Sequence, residues 1–169
     1  MTIECSQILQ KCIFGGKNMY RIAICDDDLV FGSLLEQYLQ NFAKTHRIPI
    51  DVLVFAQGEE YLEFLIEEFP VDLIFLDIQF EKGLDGVQIG KELRADIKNE
   101  MTQIIYISGI ESYAMQLFQN RPMDFLVKPV KQERVDHIME EYLRLFGNRN
   151  KQYFDYNVGK THYRLLEDE

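Results

Sequence analysis

Short, nearly unbroken apolar runs alternate with stretches that are apolar only at every third or fourth position, from Tyr20 to Phe146. The runs are 20–25, 50–55, 73–76, 103–107 and 125–127. Runs this short, rich in Ile, Leu, Val and Phe, predict strands buried on both faces. Between them the period changes to that of a helix. Phe31, Leu34, Leu35, Tyr38, Leu39 and Phe42 form the first stripe. Gly58 opens a second helix, with Tyr61, Leu62, Leu65, Ile66 and Phe69 apolar. Glu59, Glu60, Glu63, Glu67 and Glu68 lie on its other side, and Pro70 stops it. The turn signal at 82–86 leads into a helix with Ile89, Leu93 and Ile97. A helix near 111–120 and one near 131–146 complete the set, the last striped by Val135, Ile138, Met139, Tyr142 and Leu145.

Strands alternating with helices argue an α/β protein with a doubly wound parallel sheet, its right-handed crossovers placing helices on both faces. The ends depart from the rhythm. Residues 1–18 close on the spacer Gly15-Gly16-Lys17-Asn18 before Met19, which reads as an extension or tag ahead of a natural start at Met19, or as an N-terminal helix. Residues 148–150 read as a linker, and residues 153–166 as a β-hairpin turning near 157–160. The α/β body thus runs from 19 to 147, with linker and hairpin over 148–169.

The chain has 169 residues, 47% of them hydrophobic, enough for one packed core. A net charge of −10 without a Lys/Arg cluster makes this body a poor nucleic-acid binder. Cys5, Cys12 and Cys25 match no metal-binding spacing, and reduced thiols fit a cytoplasmic location. No stretch approaches a membrane span, and no signal-peptide pattern opens the chain.

The candidate chemistry lies at the strand ends. The first strand runs into Asp26, Asp27 and Asp28, the third ends on Asp77, the fourth reaches Ser108-Gly109, and the fifth runs into Lys128-Pro129. Singly, each has an ordinary reading: a helix cap for Asp28, a loop Asp, a Ser-Gly turn, a Lys-Pro helix start. Together they fall at the carboxyl edge of one parallel sheet, where open α/β sheets bind ligands. Neighbouring carboxylates repel unless a cation neutralises them, and Mg²⁺ takes oxygen ligands. Asp77 is the candidate nucleophile, since an Asp carboxylate can form an acyl phosphate. Phosphoryl transfer then needs its oxygens neutralised, by the metal, by Lys128 and by the Ser108 hydroxyl with a backbone N–H. His46, His137 and His162 are scattered and have no assigned role.

These residues resemble the receiver domain of bacterial two-component response regulators, over about residues 20–146. The resemblance implies a flavodoxin-like (βα)5 fold with sheet order 2-1-3-4-5. It implies that Asp77 is the phosphoacceptor for a sensor histidine kinase, and that Asp26 and Asp27 hold Mg²⁺ with Asp77 and the Gln79 backbone carbonyl. Ser108 becomes the switch hydroxyl, Lys128 the phosphate partner, Phe125 the switch aromatic, and the Lys128–Pro129 peptide cis. Phosphorylation would favour a homodimer through the helix near 111–120, strand 122–127 and helix 131–146. Such a domain is a phosphoacceptor with at most slow self-dephosphorylation, not an enzyme.

Cys25-Asp26-Asp27 and the segments 113–115 and 125–129 are similar to receivers of the LytTR class, with the tail resembling the first hairpin of that class's DNA-binding domain. DNA would be reached only through that domain, most of which lies outside this chain, and transcription would be the output. The loop from Asp77 to Gly86 departs from the family: it is about a residue longer than usual and lacks the common proline. Three other readings compete. A haloacid dehalogenase-type Mg²⁺ phosphatase carries a second Asp where Gln79 stands, and its acidic pair follows the nucleophile in the chain. A dinucleotide-binding domain needs a Gly-x-Gly-x-x-Gly that is absent. A phosphorylation-independent binding domain would not need the full set of phosphorylation residues.

Overall fold

The structure, a computed structural model, describes residues 19–67, 71–110, 117–147, 154–158 and 161–165. β1 (Tyr20–Cys25), β2 (Ile50–Phe55), β3 (Leu73–Asp77), β4 (Gln103–Ser108) and β5 (Asp124–Val127) form one sheet in the order β2-β1-β3-β4-β5. All four pairings are parallel, so each connection crosses over the sheet. The described helices are α1 (Leu29–His46), α2 (Gly58–Glu67), α3 (Gly86–Lys91) and α4 (Gln132–Phe146). Glu92–Asp96 prolongs α3 as a π-helical turn, and residues 117–120 make a 3₁₀ turn.

The two-residue period of a strand sorts the core into two halves. Ile22, Ile24, Leu73, Phe75, Ile105 and Ile107 pack with Leu35, Leu39 and Phe42 of α1 and Val135, Ile138, Met139 and Tyr142 of α4. Ala23, Cys25, Ile74, Leu76, Ile104 and Tyr106 pack with Tyr61 and Leu62 of α2 and Ile89 of α3. Both faces of the central strands are thereby dry, which is why they read as continuous apolar runs. Leu34 and Leu145, assigned to the buried stripes from spacing, are 38% and 45% exposed. Leu34 lies one residue, about 100°, away from the Leu35–Leu39–Phe42 line, and Leu145 falls in the last turn of α4.

Helix ends follow their local chemistry. Asp28 caps α1, accepting hydrogen bonds from the Val30 and Phe31 N–H groups, and Arg47 closes it in the left-handed region at φ 55°. Asp85 and Gln88 form a reciprocal capping box at the start of α3. Beyond the sheet, β6 (Phe154–Val158) pairs antiparallel with β7 (Thr161–Leu165), a hairpin within the segment where one is expected. Residues 1–18 and 148–153, and residues 111–116 of the helix expected near 111–120, lie outside the described residues.

Candidate functional site

Strand register assembles the site. Cys25 is level with Leu76, which sets Asp26 beside Asp77. Asp77 is level with Ile107, so Ser108 stands one step beyond it. Ser108 in turn is level with Val127, so Lys128 follows at the same edge. Ser108 is the last residue of β4 itself, not the first of a loop. The Lys128 N–H donates to the Ser108 carbonyl at 2.9 Å, and the Lys128–Pro129 peptide is cis.

The structure brings Asp26, Asp27, Asp77 and Lys128 together. Lys128 Nζ donates to Asp26 Oδ2 at 2.8 Å and to Asp77 Oδ2 at 2.9 Å. Asp26 is fully buried and Asp77 is 5% exposed. Each of the three aspartates offers an oxygen within 4.8 Å of the others. The remaining acceptors are partly occupied by backbone: Asp26 Oδ1 takes the Asp28 N–H at 2.9 Å, Asp27 Oδ2 the Glu81 N–H at 2.7 Å, and Asp77 Oδ1 the Gln79 N–H at 3.3 Å.

The electrostatics are those of a strained anionic cluster. Burial pushes the Asp26 carboxyl above its usual range; the Lys128 hydrogen bond opposes this and the Asp77 charge adds to it. For Lys128, burial works against the charge, but the bonds to Asp26 and Asp77 outweigh it and the ammonium is held more firmly protonated. One ammonium among three carboxylates leaves two negative charges uncompensated. An all-oxygen donor set with that deficit fits a hard divalent cation such as Mg²⁺.

The other sequence-derived residues sit around this cluster. Ser108 is fully buried and its Oγ accepts the Ile110 N–H at 3.0 Å. Gln79 is exposed in the loop after Asp77. Phe125 is half-buried on β5, level with Tyr106, and packs on the α2–α3 side of the sheet. Cys25 is fully buried beneath the site, its thiol pushed far up by burial and by the surrounding acids, so it acts as a small hydrophobe.

Sequence reasoning missed Phe31 and Gly86. The Lys128 ammonium lies 4.4 Å from the centroid of the Phe31 ring, a cation–π contact beside its bonds to the carboxylates. Phe31 was counted only as a stripe residue; its place in the first turn of the helix that follows the acidic strand end was the available signal. A Cβ at Gly86 would lie 2.1 Å from the Asp77 carbonyl oxygen. Only glycine lets the start of α3 pass that close behind Asp77. No sequence pattern distinguishes this from an ordinary turn glycine.

The profile of the response regulator receiver domain matches residues 22–140. The chain belongs to that family. Among its relatives is the sensory transduction protein LytT of Oceanobacillus iheyensis, 33% identical over 79 residues, 47% of this chain and 32% of that protein. The transcriptional regulatory protein RprY of Bacteroides fragilis is 30% identical over 144 residues, 83% of this chain and 56% of that protein. The receiver chain thus spans about a third to just over half of the length of these curated relatives. The response regulator protein TrrA of Thermotoga maritima, solved in complex with Mg²⁺–BeF, is 26% identical with a TM-score of 0.60, covering 74% of this chain and all of that one. The five parallel strands in the order 2-1-3-4-5 are those of a CheY-like receiver.

Proposed function

We propose that this receiver domain takes a phosphoryl group on Asp77 from the phosphohistidine of a sensor histidine kinase. An Asp77 carboxylate oxygen attacks phosphorus, the P–N bond breaks, and the electron pair returns to the imidazole nitrogen, which takes up a proton. The observation that carries this reading is the Lys128 ammonium bridging Asp26 and Asp77 inside a carboxylate cluster. A structural salt bridge needs one partner; here two buried carboxylates and a third, Asp27, crowd one cation.

The Asp26, Asp27 and Asp77 carboxylates, with the Gln79 backbone carbonyl, are the proposed Mg²⁺ ligands. Mg²⁺ there supplies charge neutralisation of a phosphoryl oxygen. Lys128 turns from Asp77 Oδ2 toward a second oxygen. Ser108 exchanges its Ile110 N–H for a third, and Phe125 moves into the space the hydroxyl leaves. The charge change is local, and its readout is the surface formed by the segment near 111–120, β5 and α4. That surface is proposed as a homodimer face.

Receiver domains are phosphoacceptors for sensor histidine kinases, not classical enzymes; at most slow self-dephosphorylation is proposed for this one. Among the described residues no helix is long and apolar enough to cross a membrane, and we propose a cytoplasmic location. Residues 1–18 are proposed as an extension or tag, and 148–169 as a linker with the first hairpin of a LytTR-type DNA-binding domain. The β6–β7 pairing and the similarity to LytT support the latter. Control of transcription, through that domain, is the proposed output.

The test is intact mass after incubation with Mg²⁺ and acetyl phosphate. One phosphoryl group is expected on the wild type, none on Asp77→Ala, and none with EDTA. No adduct on the wild type, together with failure to bind beryllofluoride, would leave a domain that acts by binding alone.

A further inference from the structure

The loop from β3 to α3 carries Gln79 and, from Ile78 to Asp85, holds no proline to stiffen it. Two side chains outside the loop hold its backbone. Asp27 Oδ2 takes the Glu81 N–H at 2.7 Å, and Glu59 Oε1 takes the Leu84 N–H at 2.8 Å. Glu59 belongs to the first turn of α2. The start of that helix is pressed against α3: a Cβ on Gly58 would stand 1.9 Å from Ile89 Cδ1.

The fit is closest at Gly83. Its φ is +83°, and a Cβ there would lie 2.5 Å from Glu59 Oε1 and 2.7 Å from Oε2. The Glu59 carboxylate therefore fills the space where a side chain at position 83 would stand. Glu59 Oε2 is buried and has no hydrogen-bond partner among the described residues. Glu60 and Glu63 on the same helix are exposed, as members of a solvated acidic face should be. Burying a carboxylate oxygen without a donor is unfavourable, so Glu59 is not a spare member of that face. Its position is dictated by the loop.

We propose that Glu59 is a positioning residue for the candidate metal site: its carboxylate clamps the Gly83–Leu84 backbone and so sets where the loop presents the Gln79 carbonyl. The inference rests on the Mg²⁺ site proposed above.

The test uses the full chain, ¹⁵N-labelled, as wild type, Glu59→Ala, Glu59→Gln and Gly83→Ala. Amide exchange is measured without metal, and Mg²⁺ alone is then titrated by NMR. Glu59→Ala is expected to speed exchange at Leu84 by about tenfold or more, the local opening that follows loss of a charge-assisted bond. It should weaken Mg²⁺ binding by about threefold or more. Glu59→Gln keeps the acceptor oxygen and should return both readouts to within about threefold of wild type. Gly83→Ala, which drives a methyl into the carboxylate, should reproduce Glu59→Ala. Unchanged Leu84 exchange in Glu59→Ala overturns the clamp, as does Glu59→Gln behaving like Glu59→Ala. Faster exchange with unchanged Mg²⁺ affinity overturns the link to the metal site. A wild type without Mg²⁺-induced shifts overturns the proposed site itself, and the metal-free exchange then decides the clamp alone.

Discussion

Asp26 shows how the proposed function is set against stability in a single side chain. Its pKa is raised above the usual carboxylate value of 3.8, because burial and Asp77 outweigh the help of Lys128. The folded protein therefore holds this proton more tightly than the unfolded chain does. The penalty is absent below the unfolded value, grows as pH rises through the raised one, and is complete above it. Asp26→Asn should raise the stability of the metal-free protein at pH 7 by about 0.5–2 kcal/mol, the usual gain when an active-site strain is relieved. The gain should vanish in acid, as followed by urea unfolding across pH. Mg²⁺ at about 100 times its Kd should stabilise the wild type by about 2.7 kcal/mol and leave Asp26→Asn nearly unmoved. Gly86→Ala should act in the opposite direction. Its methyl would meet the Asp77 carbonyl at 2.1 Å, backbone against backbone, costing about 1–3 kcal/mol or more in the same assay. The acids and the lysine could be read from the sequence because each ends an apolar run. Gly86 and Glu59 could not, because their importance comes from a distance to another segment and not from a pattern along the chain.

At the scale of elements, the strands were the most readable part. β1 and β2 have the bounds that the apolar runs predict, although β2 is an edge strand with no fully buried residue. The segment between α3 and β4 was not readable. There the helix widens into a π turn at Glu92–Asp96, and Arg94 points inward, 8% exposed, with no carboxylate beside it among its hydrogen-bond partners. Its guanidinium donates to the Asn120 carbonyl at 3.0 Å, to the Thr102 carbonyl at 2.9 Å and to the Asn99 carbonyl. Burial lowers its pKa without removing its charge. Asn120 passes the connection on, donating to Tyr106 Oη at 2.8 Å and to the Val87 carbonyl at 3.0 Å. One side chain thus ties α3, the entry to β4 and the 3₁₀ turn before β5. Periodicity marks position 94 as polar and therefore outside, and misses a fork that satisfies backbone carbonyls from within. Arg94→Met should cost about 1–3 kcal/mol by stranding those carbonyls. Arg94→Lys should recover only part of it, because an ammonium cannot span the fork. Urea midpoints of the two variants check this.

For the whole molecule, the question is how a charge added at one sheet edge reaches a partner. Among the described residues of the proposed face, Phe118 in the 3₁₀ turn is the most exposed large apolar side chain at 75%, with Val127 on β5 at 37% and Leu145 on α4 at 45%. Around them the surface is charged and internally bridged, with Arg134 of α4 bound to Asp124 of β5 at 2.7 Å. A large exposed ring within a polar rim is the composition of an interface anchor. The 3₁₀ turn that carries Phe118 is held by Asn120 against Tyr106, which is level with Phe125 on the neighbouring strand. The proposed movement of Phe125 would therefore act on the turn through a strand neighbour, without any long-range path. Sedimentation of the full chain with Mg²⁺ and beryllofluoride should show a shift toward dimer. Phe118→Ser should weaken that dimer by about tenfold or more while leaving beryllofluoride affinity unchanged, as expected for loss of an anchor outside the site. Phe125→Ala should bind beryllofluoride normally yet lose most of the shift. A Phe125→Ala protein that dimerises like the wild type would overturn the switch role of Phe125.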